Sequence, residues 1–278
     1  MSGQALRIVT ATGVGMDDLR HGMIAGFSGY AVPMRPDARA FALMMRQRGM
    51  TRDASWVALA EGRVVAVWLV SVAGDRGYLI ASGTDPAYRG RGIARQLANA
   101  SIAGLKARGL RSFQTEVMNG NDAAFGLYRS LGMKVRRALN CYGLPSPVAT
   151  SLDAKVRSLA WPEIAAGAAG CRDWAPSWQN DDAALSRITD ALACRAVTDD
   201  RGLAGYAVLV RPSGVLSQIA VRPDRRRTGL GRALFAALPP ADPLRVLNVD
   251  ASDAGFDCFM TALGAQRTPG QRELILDL

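Results

Sequence analysis

Apolar and polar positions in the first half of the chain alternate between two periods. Runs rich in β-branched and aromatic residues, bounded by turn formers, predict strands at Ala5–Thr10, Trp56–Leu59, Val64–Val72, Gly77–Gly83 and Ser112–Met118. Further strand extends to Leu144. Longer stretches with 3.6-residue periodicity predict helices at Met16–Gly26, Asp37–Arg48, Gly92–Arg108 and Asn121–Leu131. Elements alternating in this way make an α/β domain around a mixed sheet. The second half follows the same plan, less clearly before Ala193.

Self-similarity supports that reading. The stretch from Asp85 to Leu105 (DPAYRGRGIARQLANASIAGL) has a counterpart from Arg222 to Leu238 (RPDRRRTGLGRALFAAL). A β-rich run follows each, Phe113–Val117 and Leu244–Val249, and then a helix ending in Leu-Gly, at Leu131-Gly132 and Leu263-Gly264. At 278 residues the chain has room for two ordinary domains. Leu144–Ser151, with two prolines among small residues, reads as the linker and divides the chain into domains 1–146 and 147–278.

Composition narrows the class. Hydrophobic residues make up 49%, enough for two buried cores. The longest apolar stretch, near Val64–Val72, is far short of the roughly 20 residues of a membrane span. The first residues lack a charged segment followed by an apolar run, so no secretory leader and no membrane association are expected, and a cytoplasmic location is. Cys141, Cys171, Cys194 and Cys258 are scattered, with His21 as the sole imidazole; this predicts reduced thiols and no metal site. The net charge of +10 would suit nucleic acid, but aromatics are only 6% and the arginines cluster at Arg89–Arg95 and Arg225–Arg232, beside glycines. That placement favours a polyanionic small molecule and no nucleic-acid partner.

The segment Arg89-Gly90-Arg91-Gly92-Ile93-Ala94-Arg95 follows a strand and opens a helix. The first N–H groups of a helix lack intrahelical acceptors, and its dipole adds positive charge there. Glycines admit a phosphate close to the backbone, and arginines add charge-assisted bonds. A Walker loop would need Gly-Lys-Ser/Thr, which is absent; a dinucleotide fingerprint would need a third small residue where Arg95 stands. The pattern resembles instead the (Arg/Gln)-x-x-Gly-x-(Gly/Ala) signature of GNAT-type N-acetyltransferases, as Arg89, Gly92 and Ala94, and again as Arg226, Gly229 and Gly231.

The resemblance implies two tandem GNAT-like domains, each a mixed, splayed β-sheet flanked by helices, with acetyl-CoA as cosubstrate. It implies that the pantetheine arm pairs with the strand end Ser82-Gly83-Thr84, where Gly83 either marks a bulge or close approach or simply ends the strand. It implies that Tyr128 protonates the departing thiolate and that Asn121 contacts the cofactor arm; Asn121, Ala124 and Tyr128 share one helix face. Asn121 as an N-cap and Tyr128 as a packed aromatic are the plainer alternatives. An alkyl amine is neutral in about one molecule in a thousand at pH 7, so a proton must leave it. His21 reads as a solvated helix residue, which leaves Glu116, on the strand at the splay, as the candidate base through water.

Aligning the Leu-Gly pairs puts Met260 opposite Tyr128, Phe256 opposite Ala124 and Asp253 opposite Asn121. The second domain thus keeps the phosphate turn but lacks the acid, and reads as degenerate. The expected activity is acetyl transfer to a primary amine of a small molecule or peptide by direct attack in a ternary complex. The alternative is a non-catalytic CoA-binding sensor or scaffold. Family acceptors lie over the segment Phe27–Asp37, where Phe27 and Tyr30 either shape a pocket or pack the loop. The sequence leaves monomer and homodimer open.

Overall fold

The structure, a computed structural model, describes residues 6–29, 34–147 and 156–278. Tyr30, Ala5 and the linker residues 148–151 lie outside these. In chain order the elements are β1 (Arg7–Thr10), α1 (Met16–Gly26), α2 (Ala38–Arg48), β2 (Trp56–Ala60), β3 (Arg63–Ala73), β4 (Arg76–Thr84), α3 (Ile93–Ala107), β5 (Ser112–Met118), α4 (Asp122–Ser130) and β6 (Lys134–Leu144). There follow α5 (Trp161–Ala168), α6 (Asp182–Ser186), β7 (Leu192–Asp199), β8 (Gly202–Val210), β9 (Val215–Val221), α7 (Leu230–Ala236), β10 (Leu244–Asp250), α8 (Ala254–Ala262) and β11 (Gln266–Asp277). No helix of the described residues is long and apolar enough to cross a membrane.

The chain forms two compact units, residues 1–136 with 273–278 and residues 137–272. This differs from a division after residue 146, because the closing strand of each half lies with the other. β11 is the neighbour of β5, and its Leu274 is buried in one core with Trp68, Phe113 and Tyr128, where Leu276 and Leu278 also pack. β6 instead pairs antiparallel with β10, Leu144 opposite Leu244 and Tyr142 opposite Val246. Tyr142 and Leu144 are buried with Leu216, Leu234 and Val246 in the second core. Each strand goes where its apolar face finds a core.

In the first unit, α3 packs on β2, β3 and β4 over Trp68, Val70 and Leu79, while α1 packs on β3 and β4. Period-2 alternation sends Val67 and Leu69 to the α1 face. Helix ends follow local chemistry. Asp37 caps α2 by accepting from Ala40 N at 2.8 Å, and Gly49 ends it at φ 72°, the left-handed conformation glycine adopts without strain.

Two features set the end of β4 apart from β5. Leu69 pairs with Ala81 but Val70 with Leu79, leaving Ile80 as an extra, bulged residue. Parallel pairing with β5 is registered from Arg76↔Ser112 to Tyr78↔Gln114, and the bulge follows at Ile80. The second unit repeats the device: Val208 pairs with Gln218 but Leu209 with Leu216, so Ser217 is bulged, and β9 meets β10 at Val215↔Arg245. Gly83 is therefore not the bulge. Its lack of a side chain serves a close approach, since a Cβ there would sit 3.1 Å from Gly26 backbone atoms.

The reverse substitution is tighter: a Cβ on Gly26 would meet the Gly83 carbonyl carbon at 2.7 Å. Gly26→Ala should cost about 1–3 kcal/mol, because backbone must move to admit the methyl. Urea denaturation of the variant beside wild type would measure it, and an unchanged midpoint would contradict the contact.

Candidate functional site

The turn before α3 is shaped by φ values that L-residues avoid. Asp85 accepts from Ala87 N at 2.9 Å and starts a 3-10 turn at Pro86–Tyr88. Gly90 (φ 75°) and Gly92 (φ 71°) then reverse the chain, and Gly92 becomes the N-cap of α3 with no side chain to offer. The first N–H groups of the helix, at Ile93, Ala94 and Arg95, thus face outward. A Cβ added at Gly90 or Gly92 would meet nothing within 4 Å. The glycines therefore serve backbone conformation and leave an open cradle that suits a diphosphate.

The arginines divide by role. Arg89 donates from Nε to Thr84 O (3.0 Å) and from Nη2 to Gly26 O (3.1 Å) and Ser28 O (3.0 Å). It ties the turn to the end of β4 and to the C-terminus of α1, and its guanidinium is spent on the fold. Arg91 donates to Ala87 O at 3.1 Å with its guanidinium 5.0 Å from the Tyr88 ring centre. Arg95 reaches Ser130 Oγ at 2.8 Å in an exposed setting.

Behind the turn, Tyr128 of α4 is buried at 4% exposure, edge-on to Trp68 with ring centres 6.1 Å apart. Its hydroxyl and Ser82 Oγ share a hydrogen bond of 2.8 Å in which either can donate. Ser82 and Thr84 lie on β4 beyond the bulge, beside the gap towards β5. Asn121 is the N-cap of α4, accepting from Ala124 N at 3.2 Å. That is the capping role; its oxygen faces the helix it starts.

Glu116 lies on β5, where alternation opposes it to Phe113 and Val117 of the core. Tyr78 donates its hydroxyl to Glu116 Oε2. Burial pushes the Tyr78 pKa well above its ordinary value, and the nearby Glu116 charge adds to this while Arg48 opposes it. Tyr78 therefore stays a neutral donor, and Glu273 belongs to the same electrostatic neighbourhood. Sequence reasoning missed Tyr78, Arg48 and Glu273. Tyr78 could have been found from the parallel register, which sets it opposite Gln114, two residues before Glu116. Glu273 could not, since it arrives on the exchanged strand β11. His21 is exposed, 2.8 Å from Arg20 Nη2.

In the second unit, Arg226 repeats the part of Arg89. Nε donates to Val221 O at 3.0 Å, and Nη2 pairs with Asp173 at 2.9 Å. Arg227 (φ 60°) and Gly229 (φ 86°) adopt the left-handed conformations of Gly90 and Gly92. Gly231 lies against the Phe259 ring, which its Cβ would approach to 3.1 Å. Asp253 caps α8 through Phe256 N at 2.9 Å, as Asn121 caps α4. Counting from the two bulges, Ile219 occupies the place of Ser82. The hydrogen-bonded Ser82–Tyr128 pair thus becomes Ile219 and Met260, both buried. A cavity of about 590 Å³ runs from this turn between β9 and β10, lined by Leu216, Ile219, Val246, Phe256 and Phe259 with Arg232 at the turn. Among the described residues no group of three His, Cys, Asp or Glu is placed to hold a metal.

Residues 23–133 match the model of the acetyltransferase (GNAT) family. Solved structures resemble the whole chain. A tandem GNAT protein from the clavulanic acid biosynthesis pathway superposes with a TM-score of 0.72 at 13% identity, covering 98% of each chain. A GCN5-related N-acetyltransferase from Sphaerobacter thermophilus gives 0.71 at 13% identity, covering 98% of this chain and 95% of that one. At such identities the likeness establishes the fold.

The anchoring role of Arg89 is testable without a ligand. Arg89→Ala frees three carbonyls at once and should lower stability by about 1–3 kcal/mol. Denaturant midpoints measure this, and a loss under about 0.5 kcal/mol would mean the bonds contribute nothing net.

Proposed function

We propose that the N-terminal unit, whose residues 23–133 match the acetyltransferase (GNAT) family, transfers the acetyl group of acetyl-CoA to a primary amine of a small molecule or peptide. The hydrogen bond between Tyr128 and Ser82, beside the gap and behind the open turn, carries this reading. The outward N–H groups of Gly92–Arg95, with Arg91 and Arg95, hold the diphosphate. The free edge of Ser82–Thr84 receives the amides of the pantetheine arm as a strand would.

Glu116 takes a proton from the ammonium acceptor through water, so that the neutral amine attacks the thioester carbonyl. The C–S bond breaks as the C–N bond forms, and Tyr128 gives its proton to the departing sulfur. Ser82 orients that hydroxyl and can return a proton to it from solvent. Positioning of the two substrates supplies most of the acceleration, because a thiolate already leaves readily. The exposed loop that Arg89 holds through Ser28 lies where an acceptor would enter, and Phe27 packs its ring against Gly83 there.

Tyr128→Phe should lower kcat about 10- to 100-fold with little change in the KM for acetyl-CoA, as expected for a weak general acid. Gly92→Glu should abolish binding in that unit, by placing a carboxylate in the cradle and forcing a side chain onto φ 71°. Steady-state kinetics on an amine panel with calorimetric titration of acetyl-CoA tests both; full turnover by Gly92→Glu would sink the assignment. Glu116→Gln should remove the acidic limb of the kcat/KM–pH profile while leaving acetyl-CoA affinity intact, and an unaltered profile would exclude Glu116 as the base.

A further inference from the structure

The exchanged strand carries a carboxylate into the first unit. β11 lies beside β5, and Leu278 N donates to Arg111 O at 2.9 Å. Counting back from that bond along antiparallel strands puts Leu276 opposite Phe113, Leu274 opposite Thr115 and Glu273 opposite Glu116. The faces agree. Leu274, Leu276 and Leu278 pack in the core with Phe113 and Val117, so Glu273 and Glu116 share the other face of the sheet.

The second unit holds the same register in its own copy. β6 and β10 pair as Leu144↔Leu244 and Tyr142↔Val246, then as Asn140↔Val249 after the shift. Aligning the Leu-Gly pairs sets Cys141 at the place of Glu273 and Asn248 at the place of Glu116. There the two side chains meet, with Cys141 Sγ 3.7 Å from Asn248 Oδ1. The unit that lacks the Ser82–Tyr128 pair therefore also lacks both carboxylates.

Two carboxylates directly opposite on neighbouring strands have Cβ atoms about 5 Å apart and repel, more strongly where water is excluded. Glu273 is 0% exposed, and the half-exposed Arg136 of β6 stands 3.3 Å from its Oε1. Glu116 is half-buried and accepts from the Tyr78 hydroxyl. Burial first, then the charges of Glu116 and Glu273, push the Tyr78 pKa up while Arg48 opposes, so both carboxylates lie near one hydroxyl. Arg48 of α2 also donates to Ile80 O at 3.3 Å. The Tyr78 bond and the Arg48 charge favour ionised Glu116, whereas the opposed Glu273 charge favours its protonated form. Of these influences the fully buried Glu273 is the least screened by solvent.

We propose that Glu273 is a positioning residue for proton transfer in the first unit: its carboxylate, delivered by the exchanged strand and tethered by Arg136, gives Glu116 a stronger hold on a proton than an ordinary glutamate has. A carboxylate so placed is a better acceptor for the proton that the amine must lose. The role rests on the reading of Glu116 as the base; the pairing of the two carboxylates does not.

Glu61, Glu116, Glu163 and Glu273 are the four glutamates of the chain, so carbon-13 labelling of the glutamate carboxyls gives four signals, assigned with Glu116→Gln and Glu273→Gln. In the full-length wild type the Glu116 signal should titrate about one unit above the ordinary value of about 4.3. Glu273→Gln keeps the shape and removes the opposed negative charge, which eases ionisation, so the Glu116 midpoint should fall by about one unit. Glu273→Asp keeps the charge and should leave the midpoint closer to wild type than Glu273→Gln does. A purely structural Glu273 would give the reverse order, because glutamine is the better match in shape. The acidic limb of the kcat–pH profile on an amine panel should move with the midpoint, to lower pH in Glu273→Gln. A Glu116 midpoint unchanged by Glu273→Gln overturns the proposal. So does a wild-type midpoint at or below the ordinary value, which can be read even if Glu273→Gln fails to fold. If the midpoint moves and the kcat limb does not, Glu116 is not the base; the catalytic reading then fails while the carboxylate pair stands.

Discussion

Everything at either turn depends on holding two backbone positions, two residues apart, in the left-handed region. Only there do the following N–H groups leave the helix axis together and converge on one anion. In the first unit glycine meets the demand at both positions; in the second Arg227 takes the place of Gly90 and accepts φ 60°. That conformation costs an ordinary residue about 1–2 kcal/mol, so it persists only where its surroundings enforce it. The enforcement is the arginine that opens each turn. Arg89 clamps three carbonyls, whereas Arg226 exchanges part of that clamp for a charge-assisted bond to Asp173.

The two units then diverge by a coupled replacement. Losing only Tyr128 or only Ser82 would break the hydrogen bond that their hydroxyls share. The second unit shows both positions changed, to Met260 and Ile219, and both packed. An apolar pair in place of a hydrogen-bonded pair is close to neutral for stability. The second unit thus has an apolar pair where the first has two hydroxyls, and buried polar groups of its own bond to one another around Asn180, Gln218 and Asp182.

Features encoded within a few residues were legible in the sequence. The turn, the strand before it, the helices it opens and the Leu-Gly helix ends all follow from local conformational chemistry. Met16–Gly26 and Ser112–Met118 have the bounds that the hydrophobic pattern predicts. Pairing was not legible. Nothing local in β6 or β11 says which core each will enter; the exchange is decided by packing of Leu274 on one side and of Tyr142 and Leu144 on the other. A glycine in the strand left a bulge, a close approach and a strand end open at Gly83; the register puts the bulges at Ile80 and Ser217, and Gly83 serves the approach of α1. Asn121 showed its cap and Tyr128 its helix face, but Tyr128's partner Ser82 required the register of the splayed strand.

The excess of basic charge has a narrower meaning than the total suggests. In the second unit the arginines nearest the turn are largely neutralised in place. Arg222 pairs with Asp199 and Asp224, Arg225 with Asp199, and Arg226 with Asp173. Asp199 is held below the ordinary carboxylate range first by the Arg222 hydrogen bond, so these pairs stay ionised at neutral pH. What remains to meet a phosphate is a set of fixed backbone N–H groups and two or three guanidinium groups at the rim. Salt screens exposed charge within about 8–10 Å but barely touches oriented N–H groups in contact with their anion. Each turn thus presents oriented backbone N–H groups more than free positive charge.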